Sequence, residues 1–513
     1  MATFDAQIST WTVADVQHFG RRAGFGLTPE AASALAGQAP ASVIDAWVDD
    51  TLDKSAFNAA LAIADTVATG ANGNIPADPA PHPFRLEGWR RNNATPNAQA
   101  QFAWRMQYNP NPLHEKLALF WHQLLATGAE KVNNPAFMSK QVNLFRSSAA
   151  RGPFGALLLA VSKDPAMMIW LDTVLNRVRP GTSDVPNENY AREILELYSL
   201  GVDNGYNQQD ITNLAKAFSG WSLTGLDLQE DPNSPGVFVP NDAAFSVNLN
   251  RHATGTITFL GQSFDIGAPT HYGEDLVQAI LTLRGSNCAQ FLATRLLRFF
   301  VDPALPTTPL ADLQALILAQ GFDLGRILKA IFKSQYFYAA QNRHNLYEGP
   351  VAWTVRAARM LCPSLAAAAA VAPIPAFPRW KLAVAPYFGQ AGQEVLDPEG
   401  PNGWHEHGGW INSNTMRYRG KLAAAIALGE TSGGAQIFPS TVASWFPAAP
   451  ASAAAVFDRL AALLQPAPIP AAVRDAWLGG LWTSFTWDNS AATQQKVREL
   501  AYLILCSPYA QLH

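Results

Sequence analysis

Apolar residues recur at helical spacing along most of this chain, and that recurrence is the strongest limit on what it can fold into. Segments such as 12–20, 55–68, 98–108, 112–127, 136–150, 187–200, 287–301, 348–361, 415–428 and 491–506 read as helices. Several starts are marked. Thr28-Pro29-Glu30 and Asn111-Pro112 each set an N-cap residue before a proline, and Asn207 with Asp210 has the spacing of a capping box. One stretch differs: Gly, Pro, Asn and Asp separate short alternating runs at 236–239, 245–248 and 256–260. The expected fold is mainly α, a large multi-helix body with a small β insertion near 226–269. The regions are an N-terminal helical part (1–225), the β-rich insertion (226–269), a central helical part (270–362), a Pro/Gly/His-rich linker and loop (363–411) and a C-terminal helical part (412–513).

Composition excludes several classes. Only 15% of the residues are charged and the net charge is -4, so no basic face invites nucleic acid. With 48% hydrophobic residues the chain has a core to bury and is not a disordered tail. Cys288, Cys362 and Cys506 lie far apart and form no Cys-x-x-Cys, which argues against a cysteine zinc site. The longest apolar stretch, Leu365–Phe377, is broken by Pro373 and Pro375 and is too short to span a bilayer, so no transmembrane segment is expected. The N-terminus shows no basic region followed by an apolar run. The protein therefore reads as soluble, cytoplasmic as it stands or secreted if a leader was removed.

Three segments carry groups suited to chemistry. In 111–128, Leu113, Leu117, Phe120, Trp121 and Leu124 share one helical face, while Glu115 and His122 fall on the opposite face with Ala118 and Leu119 between them. A face that apolar is not a solvated one, so the helix should be buried nearly all round and its Glu and His need partners. They are either a satisfied structural pair or a metal-ligand or acid/base pair. In 187–200, Glu188, Arg192 and Glu196 form an i, i+4, i+8 stripe suited to ion pairs. Glu193 with Glu196 gives Glu-x-x-Glu, whose oxygens can converge on one cation. In the glycine-rich loop after 400, His405 and His407 would share one face of an extended backbone and could chelate a metal, or could lie in solvent. Nucleophile-elbow, P-loop, dinucleotide-binding and His-Glu-x-x-His motifs are missing.

Beyond these readings the chain resembles a family. His18-Phe19-Gly20-Arg21-Arg22-Ala23-Gly24-Phe25-Gly26 looks like the opening motif of the large bacterial family of uncharacterised proteins called DUF1800. Glu115 with Phe120-Trp121-His122, the run Asp164 to Asp172, Asn187 to Glu193, and Glu196 to Gly201 continue the likeness. So do Tyr206, Asp210, Ala217 to Trp221, Gly403-Trp404 and Trp410-Ile411-Asn412, with Arg417 or Arg419 matching the closing arginine. The resemblance implies a largely helical fold, a secreted protein, and a protein partner of sulfatase-like fold encoded nearby. It implies no reaction. The chain departs from the family at His252-Ala253-Thr254-Gly255, which lacks an expected Asp and Lys, and in carrying His405-Glu406-His407.

Two function classes follow. One is an enzyme of unknown reaction, acting on a small molecule or polymer by hydrolytic or oxidative chemistry, metal-assisted or not. Its candidate catalytic groups are Glu115, His122, Glu193, Arg192 and Arg22. Candidate ligands for a divalent ion such as Zn²⁺, Mn²⁺ or Fe²⁺ are Glu115, His122, Glu193 and Glu196, with His405 and His407 as a second set. A haem, ligated by a histidine on the buried helix, is sterically compatible, but no motif points to it. The other class is a non-catalytic scaffold or partner-binding protein, in which the same charges form an ion-pair network that fixes helix register.

Overall fold

The computed structural model describes residues 3–59, 94–179, 182–224, 228–230, 238–240, 243–267, 272–362, 380, 387–432, 435–488 and 490–513. The Ala/Pro stretch 363–378 and most of a helix expected over 55–68 lie outside the described residues. The chain is mainly α, as its periodicity requires. Caps set many of the helix starts. Thr28 accepts from Ala31 N at 3.3 Å before the Pro29–Ala36 helix. Asn207 and Asp210 exchange both bonds of a capping box, at 3.1 and 2.9 Å, although Asp stands where Glu is usual. Asn111 behaves otherwise. It makes no cap bond; its amide donates instead to the Trp47 carbonyl at 2.9 Å and to Asp50 at 3.1 Å, tying the next helix to the Pro40–Asp49 helix. The expected N-cap fails here because the side chain finds a tertiary acceptor.

Strands begin at Trp221, slightly earlier than expected, and form three antiparallel pairs by Asp265. Trp221–Thr224 pairs with Ala244–Val247, Leu228–Glu230 with Phe238–Pro240, and Thr256–Phe259 with Gln262–Asp265. The last hairpin turns through Leu260 and Gly261, both at positive φ (50° and 84°), as a two-residue turn of that hand demands. His252 fixes the insertion to the body: its ring nitrogens lie 2.5 Å from the Ser219 carbonyl and 2.7 Å from that of Ile266. A fourth small pair, Thr431–Ser432 with Ala435–Gln436, was not expected from the sequence.

The helix that matters most for the site is Pro112–Leu124. All thirteen of its residues are buried. It packs against the Pro135–Arg146 and Ala94–Tyr108 helices, and the Pro350–Leu361 helix packs on the latter. Gly24 in the opening motif lets Pro112 approach: a Cβ there would stand 2.7 Å from the proline ring. The other end of the helix is covered by the loop after residue 396. Gly403, at φ 81°, lies so close to the Gln123 carbonyl that any Cβ would overlap it. Trp404 then donates to the Glu394 carbonyl at 2.8 Å and sets its ring against His122. One connected apolar core includes Phe19, Trp121, Phe300, Trp353 and Leu500, so the N-terminal, central and C-terminal helices share it. Among the described residues no helix is long and apolar enough to cross a membrane.

Gly403→Ala should therefore destabilise by about 3 kcal/mol, since it combines a left-handed backbone with a clash against backbone. The denaturant midpoint, measured with far-ultraviolet circular dichroism, checks this, and Gly400→Ala, where a Cβ meets nothing within 4 Å, should be near neutral.

Candidate functional site

A helix buried on every side must find a partner for each polar residue it carries, and those partners define the centre of the molecule. His114 reaches Asp50 at 3.4 Å and Asn111 at 3.3 Å, and burial pushes its pKa down to about 4. Glu115 is fully buried and satisfied: Arg146 donates to Oε2 from Nε at 3.1 Å and from a terminal nitrogen at 2.9 Å, and Asn109 donates to Oε1 at 3.1 Å. Among the described residues His122 has no hydrogen-bond partner at either ring nitrogen. It sits among aromatic rings, with Trp404 edge-on at 5.1 Å and Phe145 at 6.4 Å, and desolvation lowers its pKa to about 3. It is thus a neutral imidazole at working pH.

These two residues do not converge. Seven positions along a helix separate them by about 10 Å, and Arg146 occupies the carboxylate. Glu193 is half-buried and lines neither of the two clefts beside the Pro112–Leu124 helix; burial and the neighbouring Glu196 raise its pKa. Arg192 forms the expected ladder, to Glu188 at 3.1 Å and Glu196 at 3.2 Å, with a further bond to Gln208, on a partly exposed face. His405 and His407 diverge. His405 is exposed and faces Glu399 at 3.6 Å, whereas His407 adopts φ 51°, which breaks the extended backbone that would align the pair. Among the described residues no three of His, Cys, Asp and Glu gather as they would around a metal ion.

The arginine pair of the opening motif is structural in its contacts. Arg22 donates to the Asn342 carbonyl at 2.7 Å and to the Asn345 side chain; Arg21 donates to Gln465 at 3.2 Å. Behind them Arg356 pairs with Glu348 at 2.8 Å, and Arg419 donates to the Glu348 carbonyl at 2.7 Å and to Gln511 at 3.0 Å. Arg419, rather than the exposed Arg417, is the closing arginine that reaches the core. Arg21, Arg22, Arg356 and Arg419 are all buried; Glu348 is a buried carboxylate set among them, and the buried Asp302 also acts on Arg22. Local positive charge is therefore in excess.

That excess borders a cleft. Lys116, Leu119 and Gln123, at i, i+3 and i+7, present one face of the buried helix to a space of about 480 Å³, part of it open to solvent. Arg298, Phe299, Tyr347, Gln393, Glu406, His407, Trp410 and His513 contribute to its walls. Gln123 donates to Glu406 at 2.7 Å, and Arg298 lies 3.6 Å from the same carboxylate. Among the described residues neither ring nitrogen of His407 has a hydrogen-bond partner. A second space of about 350 Å³, lined by Arg295 and Asn402, adjoins across Gln123, Phe299 and Glu406.

Lys116 is the unusual member. Its side chain is buried, yet it makes no hydrogen bond or ion pair among the described residues. Its ammonium lies over Phe25 at 5.1 Å and Phe299 at 5.7 Å. Burial pushes its pKa down to about 8, Arg22 and Arg356 add to the fall, and Glu348 opposes it. Neither Lys116 nor Arg298 was singled out in the sequence. The available sign was the helix itself: if every face is buried, a lysine in its middle cannot reach bulk solvent.

A family model described as "Protein of unknown function (DUF1800)" matches residues 18–512. No curated protein and no solved structure matches the chain.

Two measurements separate the structural charges from the cleft. Arg146→Met strands the buried Glu115 and should cost about 3–5 kcal/mol, while Arg192→Met, on a partly exposed ladder, should cost no more than about 1 kcal/mol; urea denaturation reads both. For His122 the folded pKa lies below the unfolded one, so its contribution is complete above about 6.5 and is lost as pH falls toward about 3. The slope is about 1.4 kcal/mol per pH unit. His122→Leu should move the acid-unfolding midpoint to lower pH.

Proposed function

Because the chain belongs to the DUF1800 family, whose activity is not known, we propose a function from the cleft alone: an enzyme acting on a small molecule, or a polymer end, that carries an anionic group. One observation carries this reading. Lys116, a buried residue, holds an amine with no counter-ion among the described residues at the edge of an open cleft, in a neighbourhood already rich in buried arginine. A structural lysine would be paired with a carboxylate, as Arg146 is with Glu115. An anion entering the cleft would supply the charge that the fold withholds, and charge-assisted bonds would orient it.

The remaining lining suits a binding site. Phe299, Leu346 and Trp410 give apolar walls, and Gln123, Gln393, Tyr347 and His407 supply a few polar groups between them. His407 is held in a left-handed conformation uncommon outside glycine, a form of strain that clusters at working sites. Glu406 fixes Gln123 and Arg298 in place. In this reading Glu115, His122 and the Arg192 ladder keep the scaffold rigid, and Lys116, Arg298 and His407 face the ligand.

A second reading, a non-catalytic partner-binding protein, draws support from the exposed apolar side chains Leu175 and Val185, 66% and 82% exposed. They flank the hydrogen bond from Asn187 N to Asn176. The occupant it names is the sulfatase-fold partner that the family resemblance implies. Leu175→Asp with Val185→Asp would abolish that association and leave the cleft untouched.

Sulfate is a suitable probe of the cleft, because it does not titrate near neutrality. The groups facing Lys116 are Glu348, Arg22 and Arg356, with Arg298, Glu406, His407 and His513 lining the same space. Calorimetry should find one saturable sulfate site whose affinity falls about tenfold between pH 7 and pH 9, as an ammonium of pKa about 8 loses its proton. Lys116→Met should remove both the binding and its pH dependence. Binding indifferent to pH and to Lys116 would overturn the proposal.

A further inference from the structure

An amine placed in this way has a use beyond attracting an anion. If its role were charge alone, an arginine would serve better, since it stays protonated and binds carboxylates with two parallel bonds. The fold instead leaves a primary amine that pairs with no carboxylate among the described residues, although Glu348 is near enough to act on its charge. Glu115, its neighbour in sequence, is turned to Arg146, and Oε2 of Glu348 is taken by Arg356. The two rings that face the amine, Phe25 and Phe299, remove water without offering an acceptor. They favour the ammonium modestly, but burial and the nearby guanidiniums outweigh them. Desolvation beside fixed cations is the setting in which lysines become nucleophiles.

We propose that Lys116 Nζ is a nucleophilic amine that forms an imine with a small carbonyl compound bearing a carboxylate, a 2-oxo acid or an aldehyde acid. The inference rests on the cleft being the working site and names its substrate class. The carboxylate lies toward Arg298, the charged side chain on the cleft wall with one carboxylate contact, at 3.6 Å from Glu406. The carbonyl carbon lies toward Nζ. The nitrogen lone pair attacks that carbon, and the carbonyl π pair moves to oxygen. The nitrogen releases a proton and the oxygen gains one, giving a carbinolamine. Loss of the hydroxyl as water then forms the C=N bond. The balance is amine plus carbonyl to imine plus water, and no oxidant or reductant enters. His407, which lines the same cleft and whose ring nitrogens have no hydrogen-bond partner among the described residues, would carry the proton from nitrogen to the departing oxygen. At a pKa of about 8 roughly a tenth of the amine is free at pH 7, against about 0.04% for an ordinary lysine.

The test uses the full chain, glyoxylate as the carbonyl probe and cyanoborohydride to trap the imine, with modified lysines located by peptide mass spectrometry. Lys116 should be alkylated at pH 7 at least about tenfold faster than the exposed Lys140 and Lys421, and its rate at saturating glyoxylate should level off above pH 8. Lys116→Arg keeps the positive charge and should retain sulfate binding while losing the trapped adduct, with circular dichroism confirming the fold. If Lys116→Arg cannot be folded, preincubation of the native chain with sulfate serves instead and should protect Lys116 selectively. Alkylation of Lys116 no faster than Lys140 and Lys421, with sulfate binding still lost in Lys116→Met, would overturn the imine and leave the cleft reading intact. Sulfate binding that ignores Lys116 would overturn both.

Discussion

The organisation of this protein depends on a helix with no solvated face. Every residue of Pro112–Leu124 is buried, and the helix nevertheless carries two histidines, a glutamate, a lysine and a glutamine. Each polar group must be answered inside the body or left at a cost of several kcal/mol. Glu115 is answered by Arg146 from the neighbouring helix, and Gln123 by Glu406 from the loop that covers the helix end. His122 is kept uncharged among aromatic rings. Lys116, too, has neither an acceptor nor an ion-pair partner among the described residues, and unlike His122 it borders a cleft. The functional reading follows from that asymmetry rather than from any motif.

The same logic explains why segments from opposite ends of the chain meet. Arg21 and Arg22 bond to Gln465, Asn342 and Asn345, while Arg356 and Arg419 hold Glu348, Gln511 and the carbonyl of Ala510. Buried guanidiniums suit this work because each can donate to several carbonyls at fixed angles. The result pins the opening motif and the C-terminal segment around one carboxylate. It also leaves guanidiniums near Lys116 that add to the effect of burial in depressing the amine's pKa and would favour an anion in the cleft. Stability and site electrostatics are therefore linked through the same side chains.

Much of the fold was legible because its sources are local. Periodicity placed nearly all the long helices, and the Asn207–Asp210 box was readable from spacing alone. Where tertiary contacts compete, the sequence misleads. Asn111 looks like a cap and instead bonds to Trp47 and Asp50. The 424–428 turn widens to a π-helix and no pattern announces it. For the site, burial of Glu115 and His122 followed from the apolar residues between them. Their separation was also implicit, because seven residues along a helix cannot place two side chains on one ion without a third element folding back. The identity of the partner was not readable, since Arg146 meets Glu115 only through helix packing. Lys116 was hidden for a related reason: an isolated lysine gives no periodic signature, and its importance appears only once the walls around it are known.

The central claim is that Lys116 is a desolvated, cleft-facing amine available to ligands. Competitive acetylation of all lysines across pH 6–11, quantified by peptide mass spectrometry, tests it most directly. The account predicts that Lys116 titrates with a midpoint near 8, well below the exposed lysines, and that sulfate protects it selectively. A midpoint near 10.4, or labelling unaffected by sulfate, would contradict it.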